Sequence, residues 1–387
     1  MSAKFDMLVK TFHGFEDIVA DEIRSFGGEN IENLKRAVSF SGDKRTLYRM
    51  NYESRFSLNV LVPIFGFTAN NTDEIYDGVQ RINWDDFLAL DKTFSIHATI
   101  SSELFEHSRF VVLKVKDAIV DQFRDKYEDR PSIDTENPDL KIQVHIYNDE
   151  ITISLDSTGE PLYKRGYRKR VGEAHLNEVL AAGLIKLSEW KCDVPFLDPM
   201  CGSGTILAEA GMLLTNTPSG KYRKSFGFQK WRDYDEKLLT EVKNTADKKI
   251  SSSELSITGF EFDMPNVELA RINTAFLSPL VQVNIIKADM MKMKPPYSSG
   301  IIIVNPPYGE RLRSQSVPEL YAEMGTTFKH QYSGYRACVI SSNFEALKNI
   351  GLKTSRRFTV FNGPLECKFQ CFDLYAGTKK THKTEEN

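Results

Sequence analysis

The sequence predicts an α+β amino-terminal half, then a doubly wound α/β half whose mostly parallel sheet ends in an antiparallel hairpin. Three observations carry that reading. In the second half, short apolar runs alternate with helix-spaced segments, the βαβ succession of a parallel sheet. Its final strands are instead joined through Asn362-Gly363, a pair suited to a turn with positive φ. The first half mixes helix-spaced and alternating segments without that regular succession.

Taken in order, 5–11 reads as a strand. Residues 14–26 read as a helix, with Phe15, Ile18, Val19, Glu22 and Ile23 at helical spacing and Gly27-Gly28 closing it. A short strand at 37–40 precedes a helix capped near Asp43. Residues 56–67 are strand-like. Thr72 opens a helix whose first turn suits Asp73 and Glu74. An alternating strand at 93–100 is followed by an amphipathic helix at 110–123. Strands at 142–147 and 150–155 flank Asn148-Asp149, a two-residue hairpin turn. The composition shifts between Asp156 and Gly172, where a domain boundary is expected.

Beyond it come a helix at 176–187, a strand at 194–197 and a helix at 205–214. Strands follow at 256–260, 281–286, 301–304 and 337–341, with helices running to 276, over 318–329 and from 344 to about 350. The closing hairpin is 357–361 with 365–375.

At 387 residues the chain is long enough for two or three domains. No run approaches the roughly 20 apolar residues that span a bilayer, and the start has no apolar signal core, so a cytoplasmic protein is expected. The five cysteines form no C-x-x-C pair and are odd in number, which argues against a disulfide framework. Cys367 and Cys371 read as strand packing rather than metal ligands, and no metal is expected. The net charge of −3 does not mark a nucleic-acid binder, so local patches must carry any such case. One patch is Lys164-Arg165-Gly166-Tyr167-Arg168-Lys169-Arg170, where cations interleaved with an aromatic ring suit phosphates and stacked bases. A solvated linker is the plain alternative.

Two short runs carry the chemistry. The first is Asp198-Pro199-Met200-Cys201-Gly202-Ser203-Gly204-Thr205, directly after a strand. Ligands of open α/β sheets sit at the carboxyl ends of strands, and glycines let the backbone approach them. Asp198 can accept a hydrogen bond from a cationic amino group. It suits a dinucleotide's pyrophosphate poorly, which favours S-adenosylmethionine. Glu261, ending the next strand, is placed for ribose hydroxyls, with Phe262 near the adenine. Asp263 reads as a helix cap, and Asp289 is placed for the adenine amino group, with a simple loop acid as its alternative.

The second run is Asn305-Pro306-Pro307-Tyr308. A conjugated amine is a poor nucleophile because its lone pair is delocalised. The Asn305 side-chain carbonyl and the Pro306 backbone carbonyl can take its two protons. The prolines hold those acceptors rigid, and Tyr308 offers a stacking face. This points to methyl transfer onto an exocyclic amine of a base, with a glutamine amide as the competing acceptor.

These residues resemble the bacterial THUMP-domain RNA methyltransferases, most closely the amino-terminal, guanine-N2 methylating module of the large-subunit rRNA methyltransferase family. The resemblance extends over His13-Gly14-Phe15-Glu16, Lys116-Asp117-Ala118-Ile119-Val120-Asp121, Asp156-Ser157-Thr158-Gly159 and Lys164-Arg165-Gly166-Tyr167-Arg168. It continues through 198–205, Asn305-Pro306-Pro307-Tyr308-Gly309-Glu310-Arg311-Leu312 and Asn362-Gly363-Pro364-Leu365-Glu366-Cys367.

It implies a ferredoxin-like segment over 1–55, a THUMP RNA-binding domain over 56–158 and a linker over 159–172. A Rossmann-like class I methyltransferase domain would follow over 173–378, with a seven-stranded, mostly parallel sheet ending in an antiparallel hairpin. Residues 379–387 would be a flexible tail. N2-methylguanosine in 23S rRNA is the implied product, with tRNA guanine, adenine N6 or a non-catalytic assembly role left open. Some relatives fuse a second methyltransferase domain, which is not expected here. An insertion at 218–231 contributes Lys221, Arg223 and Lys224, with Lys230 and Trp231, as candidate RNA contacts, with a solvated loop as the alternative.

Overall fold

The computed structural model describes residues 3–169, 176–307 and 316–376. Two compact units emerge. One comprises Met1–Thr11, Glu16–Lys164 and Arg223–Thr245; the other comprises Phe12–Phe15, Arg165–Tyr222 and Ala246–Asn387.

In the first unit the order is β1 (Phe5–Lys10), α1 (Glu16–Phe26), β2 (Glu29–Leu34), β3 (Ala37–Gly42), α2 (Lys44–Glu53) and β4 (Asn59–Thr68). Then come α3 (Thr72–Gln80), β5 (Thr93–Ser101), α4 (Ser108–Tyr127), β6 (Ser132–Ile133), β7 (Leu140–Tyr147) and β8 (Glu150–Asp156). The strands form one sheet in the order β2-β3-β1-β4-β8-β7-β5-β6. β4 joins its two parts: Leu61 pairs with Leu8 of β1 on one side and Asp156 of β8 on the other. The Asp43 carboxylate caps α2 by accepting the Thr46 N–H at 2.9 Å. Asn148 takes φ 54° in the β7–β8 turn, so the hairpin forms where the dipeptide placed it. Sequence periodicity does not reveal β2, because Glu29 to Leu34 is largely polar and exposed, as suits an edge strand.

Arg223–Thr245, which falls within the sequence of the second half, completes the first unit. Phe228 is buried and stacks on Tyr48 at 4.3 Å between ring centroids, and its N–H donates to the Ser157 carbonyl. Gly227 lies so close to Gly159 that a Cβ would come within 2.7 Å of the Gly159 nitrogen. The Arg223 guanidinium donates to the carbonyls of Pro161 and Lys164 at 2.8 Å each and of Glu160 at 2.7 Å, with Thr158 at 3.4 Å.

The second unit holds α5 (Glu178–Leu187), β9 (Phe196–Asp198) and α6 (Thr205–Leu214). The chain then passes through α7 (Glu236–Asp247), most of which belongs to the first unit. It returns with β10 (Ile257–Glu261), α8 (Met264–Thr274), β11 (Val283–Lys287), β12 (Gly300–Val304) and α9 (Val317–Gln331). β13 (Tyr335–Ser341), α10 (Phe344–Lys348), β14 (Arg356–Asn362) and β15 (Leu365–Asp373) finish it. The strand order is β11-β10-β9-β12-β13-β15-β14. The first five run parallel, and β15 and β14 are antiparallel to their neighbours. The α+β half followed by a mostly parallel sheet with a terminal hairpin is therefore the observed architecture.

The residues 12–15 reach into this second unit, where the Phe15 ring covers Gly183 of α5; a Cβ there would sit 2.0 Å from it. Cys338 and Cys371 face each other in the β13–β15 register and are joined as a disulfide, where the sequence reading expected plain strand packing of Cys371. Among the described residues no helix is long and apolar enough to cross a membrane.

Replacing Arg223 strands several carbonyls at once. Arg223→Met should lower the stability of the full chain by about 2–4 kcal/mol in urea unfolding, whereas Lys224→Met should stay within about 0.5 kcal/mol.

Candidate active site

The sheet order reverses at β9. From it β10 and β11 lie to one side, and β12 and β13 to the other. A crevice opens at such a switch point, outside the carboxyl ends of the two central strands. Asp198 ends β9 and Asn305 follows β12, so both sequence motifs converge there.

The turn after β9 is tightly bonded. The Cys201 N–H donates to the Phe260 carbonyl of β10 at 2.9 Å, and the Gly204 N–H donates to the Cys201 carbonyl at 2.8 Å. Gly202 and Gly204 take φ values of 51° and 82°, which explains both glycines conformationally. A Cβ on Gly202 would meet nothing within 4 Å among the described residues, which leave that face of the turn open. Gly204, in contrast, is pressed against Ala270 of α8. Gly259 accommodates Cys201, whose Sγ would lie 2.9 Å from a Cβ there. Pro199 completes the turn, and Thr205 begins α6, whose first N–H groups lack intrahelical partners.

Glu261 braces the turn. Its Oε2 accepts the Gly202 N–H at 2.9 Å, and its Oε1 accepts the Asp263 N–H at 2.9 Å. Phe262 is 75% exposed, a ring left free to cover a ligand. Asp263 stands at the N-cap position of α8, yet its side chain makes no capping bond, a correction to its expected role. Asp289 follows β11, where its Oδ1 accepts the Met291 N–H at 3.0 Å and its Oδ2 lies 3.4 Å from Lys292.

Two features mark this edge as a place for chemistry. Asp198 is 1% exposed, and burial pushes its carboxyl up to about 8; the Met200 N–H works against that rise and Glu261 adds to it. Asn305 Oδ1 is buried and has no hydrogen-bond partner among the described residues. An unmet buried acceptor costs on the order of 1–3 kcal/mol, a cost that a binding partner would remove. Pro306 is buried and Pro307 half-buried beside it. Tyr308 lies outside the described residues.

The basic run is placed differently from its expected RNA-facing role. Arg165 is 1% exposed, with its Nε 3.6 Å from Glu209, itself fully buried. Tyr167 is buried, donates to Glu209 at 3.0 Å and stacks on Phe276. Arg168 is committed to Glu178 at 2.9 Å. These three are interior groups, because buried carboxylates demand cations and donors. Lys164 pairs with Glu160 at the surface, Lys169 is exposed, and Arg170 lies outside the described residues. Of the insertion, Lys221 pairs with Asp247, Arg223 is spent on carbonyls, and Lys224 is exposed. Lys230 donates to Pro138 at 3.0 Å.

Glu178, Glu209 and Asn273 escaped the sequence reading. Glu209 had a signal: it is the one charge in the otherwise apolar stretch TILAEAGMLL, and such a group requires a buried partner. Among the described residues no cluster of three or more His, Cys, Asp or Glu is arranged to hold a metal ion.

A mostly parallel seven-stranded sheet, reversed at a glycine turn and closed by an antiparallel hairpin, defines a class I methyltransferase fold. Family models agree. The RMKL-like methyltransferase domain matches residues 165–370, the THUMP domain 69–156 and the RlmL ferredoxin-like domain 6–61. The chain is 36% identical over 364 residues to a Synechocystis sp. protein named as a candidate RNA methyltransferase, with 94% of this chain and 95% of that one covered. It is 35% identical to the ribosomal RNA large subunit methyltransferase K/L of Psychromonas ingrahamii over 93% of its own length, and spans 49% of that relative. A candidate methyltransferase solved in complex with SAH superposes with a TM-score of 0.85 at 29% identity, covering 98% of this chain and all of the other. The chain belongs to the RMKL-like methyltransferase family, with a THUMP domain ahead of the methyltransferase domain.

The Asp198 carboxyl titrates in the folded state near 8, above its ordinary value of 3.8. Between those limits the folded chain keeps a proton that the unfolded chain has lost, so stability falls as pH rises through the window. Asp198→Asn removes that loss while retaining an acceptor for the Met200 N–H. Its unfolding midpoint without ligand should exceed wild type by at least about 3 °C at pH 8, and the difference should vanish near pH 4.

Proposed function

We propose that this chain transfers a methyl group from S-adenosylmethionine to the exocyclic N2 amine of a guanine in 23S rRNA. The observation that carries the proposal is the Asn305 Oδ1, buried and without a partner among the described residues, beside Pro306 and Pro307 at the switch point.

The residues suit the cofactor on their own chemistry. The open face at Gly202 admits a ligand against the backbone. Asp198, held in a dry position, gains a counter-charge when a cationic amino group approaches. Glu261 retains acceptor capacity for ribose hydroxyls, and the exposed Phe262 ring can cover an adenine, with Asp289 toward its amino group. The SAH complex of the 29%-identical relative supports this assignment. S-adenosylmethionine, when bound, supplies an activated methyl group on its sulfonium.

Asn305 and Pro306 then do the protein's share of the work. Their carbonyl oxygens accept the two N–H bonds of the amine and turn its lone pair away from the ring. Placing that nitrogen in line with the methyl carbon supplies most of the rate gain, since no strong base is needed. Tyr308 is assigned to stack on the base once it leaves the helical stack. The THUMP-containing half is assigned to hold structured RNA, a role supported by the rRNA methyltransferase among the relatives.

Asn305→Ala should reduce kcat by about a hundredfold or more while leaving the SAH Kd within about threefold. Undiminished turnover would refute the role given to Asn305. Nucleoside mass spectrometry of 23S rRNA and tRNA from cells with and without the gene should show one N2-methylguanosine missing from 23S rRNA in the deletion. Wild type should restore it and Asn305→Ala should not. A methylated base missing from tRNA instead would move the substrate and keep the chemistry.

A further inference from the structure

Arg168 is held on three sides. Its Nε donates to Glu178 Oε1 at 2.9 Å, its Nη1 to Ser203 Oγ at 3.3 Å and its Nη2 to Thr205 Oγ1 at 2.9 Å. The side chain is 10% exposed, and that of Glu178 5%. The next residue continues the grip. The Lys169 N–H donates to Asn273 Oδ1 at 3.2 Å, and Asn273 Nδ2 donates to the Ser203 carbonyl at 3.1 Å. Ser203 and Thr205 flank Gly204, the residue whose φ of 82° sets the end of the turn.

The turn is therefore fastened twice from outside. One fastening is the guanidinium on the two hydroxyls; the other runs from the Lys169 backbone through Asn273 to the Ser203 carbonyl. Only a planar fork serves several acceptors at once, and a lysine ammonium is a point charge that cannot reproduce it. Glu178 compensates the cation, so the fork is fixed in a site that water barely reaches.

We propose that Arg168 is a positioning residue of the cofactor turn. It holds Ser203, Gly204 and Thr205 in the shape that receives S-adenosylmethionine, and it is not an RNA contact. This rests on the cofactor reading given above.

The test compares wild type, Arg168→Lys and the double variant Arg168→Met/Glu178→Gln. The lysine variant keeps a cation opposite Glu178 and gives up the fork. The double variant removes both buried charges together, so neither is left uncompensated and the fold is protected. Calorimetry with SAH should show Kd raised about tenfold in each variant. KM for S-adenosylmethionine should rise in parallel, with kcat within about twofold. Affinity for an unmodified 23S rRNA transcript, and its dependence on salt, should stay at wild-type values. A lost structural contact alone would lower the unfolding midpoint without this split between KM and kcat.

An unchanged SAH Kd in both folded variants would overturn the assignment. So would weaker RNA binding with the salt slope reduced by about one, the mark of a lost phosphate contact. Wild-type protein that bound no SAH would overturn the cofactor reading itself, and with it the role of Arg168.

Discussion

The burial of one carboxylate shapes the methyltransferase unit. Asp198 sits at the end of a fully buried strand, where the parallel sheet reverses and a crevice has to open. Its environment favours the neutral form, so the site is poised to gain from a cation. The surroundings serve that arrangement. Gly259 makes room for Cys201, Gly204 lets α6 and α8 approach, and Glu261 ties the turn to β10 through the Gly202 N–H. An acceptor on Asn305 across the same crevice, without a partner among the described residues, adds a second local cost. Both costs lie where ligands would relieve them, which is the expected trade of stability for function.

Much of this was legible in the sequence because the signals are local. Glycines after an apolar strand and paired prolines after another are properties of a few adjacent residues, and both motifs landed on neighbouring strand ends. The Asn362-Gly363 signal likewise located the terminal hairpin. The misreadings were non-local. Arg165, Tyr167 and Arg168 look like an RNA-binding patch until Glu209 and Glu178 are brought beside them by the fold. Arg223 looks like a phosphate contact until four carbonyls surround it. The partnership of Cys338 and Cys371 is a matter of strand register, which no spacing rule reveals.

The units also cross the order of the chain. Residues 12–15 serve the second unit, and Arg223–Thr245 serve the first. The aromatic stack of Phe228 on Tyr48 and the close approach of Gly227 to Gly159 make the insertion from Arg223 onward part of the first unit's interior rather than a solvated loop. Neither half of the sequence, cut at the compositional boundary, contains all the residues of one unit. Two cations of the basic segment at that boundary then have a structural reason, since Arg165 and Arg168 neutralise acids inside the methyltransferase fold.

The most direct test of this account is the proton balance of cofactor binding. Calorimetric titration with SAH at pH 7, in buffers of different ionisation enthalpy, measures the protons exchanged. With the Asp198 carboxyl near 8 in the free protein and ionised against the ligand's ammonium group, binding should release close to one proton per molecule bound. Asp198→Asn should release none. Binding by wild type with no proton release would contradict the claim that a buried, neutral Asp198 is the group awaiting the cofactor.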